Sequence, residues 1–197
     1  PAFMANSQTD GKTWGVPFQR STVVMYYNKD LFREAGLDPN KAPQSWKELS
    51  EAAQKLTKKD ASGKVTQYGI QIPSTGFAYW MLQTLTTPNG VLLANETGTK
   101  VTFDHPKVIE ALEYWVNLTK QGVHPAGVVE WGTTPKDFFE KKAAIMVTTT
   151  GNLTNVRKNA QFDFGVGQIA GNLRKGSPTG GGNFYIFKKA PKEQQEA

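Results

Sequence analysis

The sequence predicts an α/β fold, a sheet covered by helices, on three observations. Short β-branched and aromatic runs alternate with amphipathic stretches along the whole chain. Helix-opening signals follow those runs, and Gly or Pro closes most elements. Neither an internal repeat nor a low-complexity tract interrupts the pattern.

From Trp14 to Tyr27 the residues are largely apolar (Val16, Phe18, Val23, Val24, Met25, Tyr26) and read as two strands meeting at the polar joint Gln19-Arg20-Ser21-Thr22. Lys29 to Ala35 is a short helix stopped by Gly36. Ser45-Trp46-Lys47-Glu48 is a capping box, because a Ser hydroxyl and a Glu three residues on satisfy backbone N–H groups reciprocally; its helix runs to about Lys58. Gly69 to Ile72 is a strand delivering the loop Pro73-Ser74-Thr75-Gly76, and a helix follows from about Phe77 to Thr86. Val101 to Phe103 is a brief strand. Asp104 with Pro106 opens a helix whose buried stripe is Val108, Leu112, Trp115 and Leu118, ended by Gly122. Thr134-Pro135 opens another, burying Phe138 and Phe139, before the strand Ala144 to Val147. Thr148 to Asn152 leads into a helix to about Lys158, and Phe164 to Ile169 is a strand. Gly171 to Gly182 is a Gly/Ser-rich turn region, Asn183 to Phe187 a strand, and Ala190-Pro191 opens a final helix.

With 38% hydrophobic and 20% charged residues, the composition is that of a globular domain rather than a disordered chain. No stretch approaches the roughly 20 apolar residues that cross a bilayer. The opening Pro1-Ala2-Phe3-Met4 has neither a starting Met nor a signal sequence, and the last helix breaks off soon after it opens, so the chain reads as a piece of a longer protein. Zero cysteines remove disulfides and thiolate chemistry and fit an exported bacterial protein. The net charge of +6 raises nucleic acid as a partner. Its distribution argues against one, since runs such as Lys55 to Lys59 and Lys141-Lys142 are interspersed with Asp and Glu and read as solvated surface.

Catalytic chemistry is sparse. The only histidines, His105 beside a helix-opening Pro and His124 in a Gly-Val-His-Pro loop, sit in no catalytic or metal-ligand spacing and read as surface or capping residues. Paired carboxylates of a glycosidase meet only in space, so a cleft enzyme acting on glycosides or phosphodiesters is the competing class. Gly180-Gly181-Gly182 is followed by neither Gly-Lys-Ser/Thr nor a helix and reads as a flexible turn, not a phosphate cradle. The triplets at Asn95, Asn117 and Asn152 match the glycosylation acceptor pattern, which chance often produces. No catalytic residue, metal or cofactor is therefore predicted. What remains is a set of strand-end loops carrying hydroxyls, glycines and the aromatics Phe77, Tyr79 and Trp80. In open α/β sheets ligands settle at the carboxyl ends of strands. Aromatic faces suit the C–H surface of a polyol or sugar, and Ser, Thr and Asn suit hydroxyls or a phosphate. By spacing alone the same aromatics read as core.

Gly15-Val16-Pro17-Phe18, followed by the run from Met25-Tyr26-Tyr27-Asn28-Lys29-Asp30-Leu31-Phe32 to Leu37-Asp38-Pro39, closely resembles bacterial ABC-transporter solute-binding proteins of the maltose-binding type. Pro43-Gln44-Ser45-Trp46-Lys47-Glu48-Leu49 resembles the family's Pro-x-Thr-Trp-x-Glu-Leu, and Phe138 to Met146 its Phe-x-x-Gly-Lys-Ala-Ala-Met, with Lys141 in place of the Gly. The resemblance implies a type II periplasmic-binding-protein lobe, a mixed sheet flanked by helices, cut from a two-lobe protein. It implies a hinge or first-lobe segment over 1–20, an incomplete second lobe over 21–183, and a hinge strand with the start of a first-lobe helix over 184–197. Val16-Pro17-Phe18 leading to Ser21-Thr22, and Thr149 to Arg157, look most like the glycerol-3-phosphate and glycerophosphodiester binders. That likeness implies ligand contacts from Ser21, Thr22, Phe77, Trp80, Thr150, Gly151, Asn152, Gly181, Gly182 and Asn183, with a sugar or other polyol as alternative ligands. It further implies a monomer, exported to the periplasm or lipid-anchored, whose lobes close on the solute and present it to a membrane permease.

Overall fold

The structure, a computed structural model, describes residues 2–95 and 97–196. The ends of the chain at Pro1 and Ala197, and the middle residue of the Asn95 triplet, lie outside the described residues. The chain divides into two bodies, one formed by residues up to Thr22 with those from Thr179 onward, the other by Val23–Pro178.

In the first body a 3-10 segment, Ala2–Ser7, leads into the hairpin β1 (Gln8–Thr9) and β2 (Lys12–Thr13). Its two-residue loop Asp10-Gly11 has both φ values positive, 50° and 71°, the twist that matches paired strands. Then come β3 (Val16–Pro17) and the first two residues of β4 (Ser21–Asn28).

In the second body β4 runs on to Asn28, whose side chain caps helix α1 (Lys29–Glu34) by accepting from the amides of Asp30 and Leu31. Gly36, at φ 69°, closes that helix, and the Leu37 amide reaches back to the Phe32 carbonyl. Helix α2 (Trp46–Leu56) opens on the Ser45 cap as the spacing predicts, but Glu48 reaches the amide of Gln44 rather than that of Ser45. On either side of Ser45, the Gln44 carbonyl accepts from the Gly171 amide and the Trp46 amide donates to the Gly171 carbonyl. Next follow β5 (Lys58–Lys59), β6 (Val65–Gln71), α3 (Ala78–Thr86), α4 (Pro106–Lys120), α5 (Thr134–Phe139), β7 (Ala143–Thr149), α6 (Leu153–Asn159) and β8 (Phe164–Gln168). The sheet order is β5-β6-β7-β4-β8, parallel between β6 and β7 and antiparallel elsewhere.

Period-2 alternation on β4 and β7 divides the apolar side chains between two faces. Val23, Met25, Tyr27, Ile145 and Val147 join the larger core with residues of α1 to α4. Val24, Tyr26 and Met146 meet Phe138 of α5 and Val156 of α6 on the opposite face. Chain from Thr179 returns to the first body as β9 (Thr179–Gly180), which pairs with Ser21 and Thr22, and β10 (Asn183–Phe184), which pairs with β3. Helix α7 (Lys192–Glu196) follows Pro191.

Four readings need correction. Val101 forms one isolated bridge with Ala94 rather than a strand. The buried stripe of α4 uses Ala111 in place of Leu112, which is exposed, since the helix turns about 100° per residue and Ala111 lies nearer the Val108–Leu118 line. Its cap is His105, whose Nδ1 accepts from the Lys107 amide, not Asp104. The strand expected over Asn183 to Phe187 ends at Phe184.

Contact between α2 and β6 requires a glycine. A Cβ at Gly69 would lie 2.0 Å from the carbonyl oxygen of Ala53, and the Gly69 amide donates to Thr57 Oγ1, itself bound to that same carbonyl. Gly69→Ala is therefore expected to force helix from strand and lower the unfolding free energy by roughly 1–3 kcal/mol. Denaturant unfolding measures this directly, and a midpoint equal to the unmodified protein's would refute the close packing.

Candidate functional site

Parallel pairing of β6 with β7, Gln71 opposite Met146, sends the loops that follow both strands out of the same sheet edge in the second body. Val23 lies at that edge too, opposite Thr149.

After β6 the chain is anchored by a buried histidine. His124 Nε2 lies 3.1 Å from the amide of Ile72, while Nδ1 is 2.8 Å from the carbonyl of Pro125 and 3.1 Å from Thr119 Oγ1. Nε2 also lies 3.1 Å from the Ile72 carbonyl, so both nitrogens of the buried ring have backbone partners, and their donor and acceptor roles follow the tautomer. The reading of His124 as a surface or capping residue is thereby overturned, since it is 3% exposed. The sequence pattern lacks the cue because its partner Ile72 lies 52 residues away.

Beyond Ile72 the loop is stitched to residues 129–131. The Ser74 amide donates to the Val129 carbonyl at 2.8 Å, the Val129 amide to Ser74 Oγ at 2.9 Å, and Thr75 Oγ1 to Glu130 at 2.6 Å. Gly76, at φ 72°, comes so close that a Cβ would stand 2.9 Å from Trp131 Cβ. Phe77 then lies edge-on to Trp131 and to Trp80, with ring centroids 5.1 and 6.2 Å away. The aromatics divide by role. Phe77 and Tyr79 are 42% and 63% exposed, whereas Trp80 is 9% exposed and donates its indole N–H to the Pro178 carbonyl at 3.1 Å. Trp131 was not singled out from sequence; its only cue was a lone Trp just ahead of the Thr-Pro helix opening.

At the end of β7, Thr149 is buried and its carbonyl accepts from Tyr26 OH at 3.1 Å. Burial pushes the Tyr26 phenol up to about 12, so it remains a donor at any ordinary pH. Thr150, Gly151 and Asn152 form a 3-10 turn, the first two exposed. The Asn152 amide is turned partly inward, donating to Thr148 Oγ1 at 3.4 Å and accepting from Asn155 at 3.0 Å.

The first body holds the other predicted residues. Ser21 and Thr22 pair with Gly180 and Thr179. Gly181 has φ 144° and would place a Cβ 2.0 Å from the Gln19 carbonyl, so only glycine fits there. Around Gly182 the Cβ direction is open, and its carbonyl accepts from the Phe18 amide at 3.0 Å. Asn183 donates to Tyr185 OH at 2.8 Å and accepts from Ser7 Oγ at 3.2 Å. The ten predicted residues thus form two groups: Phe77, Trp80, Thr150, Gly151 and Asn152 in the second body, and Ser21, Thr22, Gly181, Gly182 and Asn183 in the first.

Residues 1–197 match the bacterial extracellular solute-binding protein family. The chain belongs to that family. The sn-glycerol-3-phosphate-binding periplasmic protein UgpB of Escherichia coli K12 is 28% identical over 203 residues, covering 97% of this chain and 44% of the relative. UgpB from Mycobacterium tuberculosis, solved with glycerophosphocholine, superposes with TM-score 0.84 at 25% identity, covering 98% of this chain and 47% of that one. An ABC substrate-binding protein from Listeria monocytogenes in complex with cycloalternan gives TM-score 0.82 at 27% identity, over 98% and 48% of the two chains. This solute-binding-family chain therefore spans under half the length of these relatives, and its α/β fold is of the type II periplasmic-binding-protein kind. Among the described residues no cluster of His, Asp and Glu has metal-binding geometry, and no helix is long and apolar enough to cross a membrane.

His124 makes the support of this edge pH-dependent. Burial pulls its pKa below 6.5, against the opposing pull of the Ile72 and Pro125 carbonyls. The unfolded ring takes up its proton near 6.5 and the folded ring only at lower pH, so stability is full above that value and falls as pH drops toward the folded pKa. Melting temperature is expected to fall between about pH 7.5 and pH 5.5. His124→Gln, though less stable overall, should lose that part of the slope; identical slopes in the two proteins would contradict the assignment.

Proposed function

We propose that this protein is the solute-binding component of an ABC importer, capturing glycerol-3-phosphate, a related glycerophosphodiester, or a sugar, and delivering it to a membrane permease. The observation that carries this reading is the family match over residues 1–197. Support for the ligand class comes from two sides. Relatives of similar likeness are named for sn-glycerol-3-phosphate or were solved with glycerophosphocholine or cycloalternan. The second body's strand-end edge offers the half-exposed ring of Phe77, backed by Trp131, together with the exposed Thr150–Gly151 turn. A ring face takes the C–H surface of a polyol, and hydroxyl and amide groups take its oxygens.

In this reading the residues up to about Arg20 and from Tyr185 belong to the hinge or first lobe, and the stretch between is second lobe. Ligand-facing groups in this reading are Ser21, Thr22, Phe77, Trp80, Thr150, Gly151, Asn152, Gly181, Gly182 and Asn183. The role is capture without chemical change, by an exported protein in the periplasm or lipid-anchored outside the cytoplasmic membrane, acting as a monomer.

The test is a melting screen of the full-length protein against glycerol-3-phosphate, glycerophosphocholine and maltose. A solute held only by the folded state at about 100 times its Kd adds about 2.7 kcal/mol of stability. The binding solute should be recovered unchanged by mass spectrometry, and turnover would place the protein among enzymes instead. Phe77→Ala should weaken binding roughly fivefold, the equivalent of about 1 kcal/mol of ring contact; wild-type affinity in that variant would remove Phe77 from the site.

A further inference from the structure

Arg20 stands two residues before the first passage of the chain between the bodies, and Gly182 and Asn183 stand shortly after the second. Its guanidinium joins these segments within the first body. Nη1 donates to the carbonyls of Gln19 at 2.9 Å and Gly182 at 2.8 Å. Nη2 donates to Asn183 Oδ1 at 2.6 Å and Asn6 Oδ1 at 2.7 Å, with the Phe3 carbonyl at 3.0 Å. Every one of these acceptors is neutral. The four Nη hydrogens are therefore committed to the protein, and a ligand oxygen gains none of them without breaking a short bond. The arrangement is that of a planar fork bridging three stretches of chain, a task suited to guanidinium and not to ammonium.

From this geometry we infer that Arg20 is a positioning residue, a clasp that holds Gly182 and Asn183 in the conformation in which they meet the solute. The inference rests on the reading of those two residues as ligand-facing. Without the clasp, the segment after Gly181 keeps the short β10–β3 pairing, the Phe18 and Gln19 amides on the Gly182 carbonyl at 3.0 and 3.5 Å, the Phe18–Phe184 ring contact and the lighter contacts of Asn183, but it loses the two short bonds that fix the Gly182 carbonyl and the Asn183 side chain. It then samples other conformations, and apparent affinity falls by the fraction of time spent in the competent one. A clasp also differs from a ligand-binding cation in what it predicts: its loss loosens the free protein, before any solute is added.

The experiment uses the full-length protein with Arg20→Ala, Arg20→Lys and Arg20→Gln. Amide hydrogen exchange of the free protein is read at Phe18, Gln19 and residues 181–184, with Tyr26 and Ile145 as core references. Solute binding is read by calorimetry with whichever of glycerol-3-phosphate, glycerophosphocholine or maltose the unmodified protein binds. The expected result is faster exchange confined to those hinge amides, and binding weakened roughly tenfold if the competent conformation falls to about one part in ten. Lys and Gln should restore neither quantity fully, because neither supplies the fork. Unchanged exchange at residues 181–184 overturns the clasp, and so does loosened exchange with unchanged affinity. Should Arg20→Ala fail to fold, the Gln and Lys variants carry both measurements. Should the unmodified protein bind none of the three solutes, the functional reading fails, while the exchange experiment still decides whether Arg20 positions the segment.

Discussion

The second body depends on one pairing, the parallel ladder between β6 and β7. Antiparallel neighbours would send the two following loops to opposite ends of the sheet. Parallel register places Ile72 and Thr149 at one edge, and Val23 opposite Thr149 adds the chain's entry point to it. Parallel strands need helices over their connection, and the α3–α4–α5 segment between β6 and β7 supplies them. The sheet centre must then be apolar on both faces, as the wholly buried β7 is.

Support for the edge comes from polar groups used as internal struts. His124 fixes the end of β6 and Ser74 and Thr75 fix the loop beyond it, while Ser177 Oγ, donating to the Val23 carbonyl at 2.7 Å, fixes the chain's exit beside its entry. Each is a short-range bond between segments distant in sequence, so the rim is held from beneath. Exposed ion pairs such as Arg33–Asp163 and Lys58–Glu34 lie on other parts of the surface and, in water, contribute little.

Legibility from sequence followed the range of the forces involved. The Ser45 cap, the Gly36 stop and the buried β4 and β7 runs are local or periodic, and they read correctly before any coordinates. The Val101 strand failed because three β-prone residues offer too little pairing to hold a ladder, and only the Ala94 bridge survives. Leu112 failed because it lies off the Val108–Leu118 line, on which Ala111 falls. Of the candidate site, the loops themselves were legible as strand ends carrying hydroxyls and rings. Trp131, His124 and Arg20 were not, because each has a decisive partner far along the chain: Thr75 for Trp131, 56 residues away, Ile72 for His124, 52 away, and Asn183 for Arg20, 163 away.

The aromatic residues at the head of α3 show why spacing could not choose between core and rim. Phe77 and Trp80 are one helical turn apart and touch, yet one is 42% exposed and the other 9%. What separates them is depth along the helix axis, not its face. Phe77 precedes the helix, above the sheet edge, where the glycine-permitted approach of Trp131 backs it. Trp80 lies one turn deeper, joins the larger core, and finds for its N–H the carbonyl of Pro178, the last residue before the chain leaves this body. Buried indoles usually find such an acceptor. Exposure therefore divides the motif: the buried ring fixes the helix and the chain's exit, while the Phe77 ring stays half-exposed at the sheet edge.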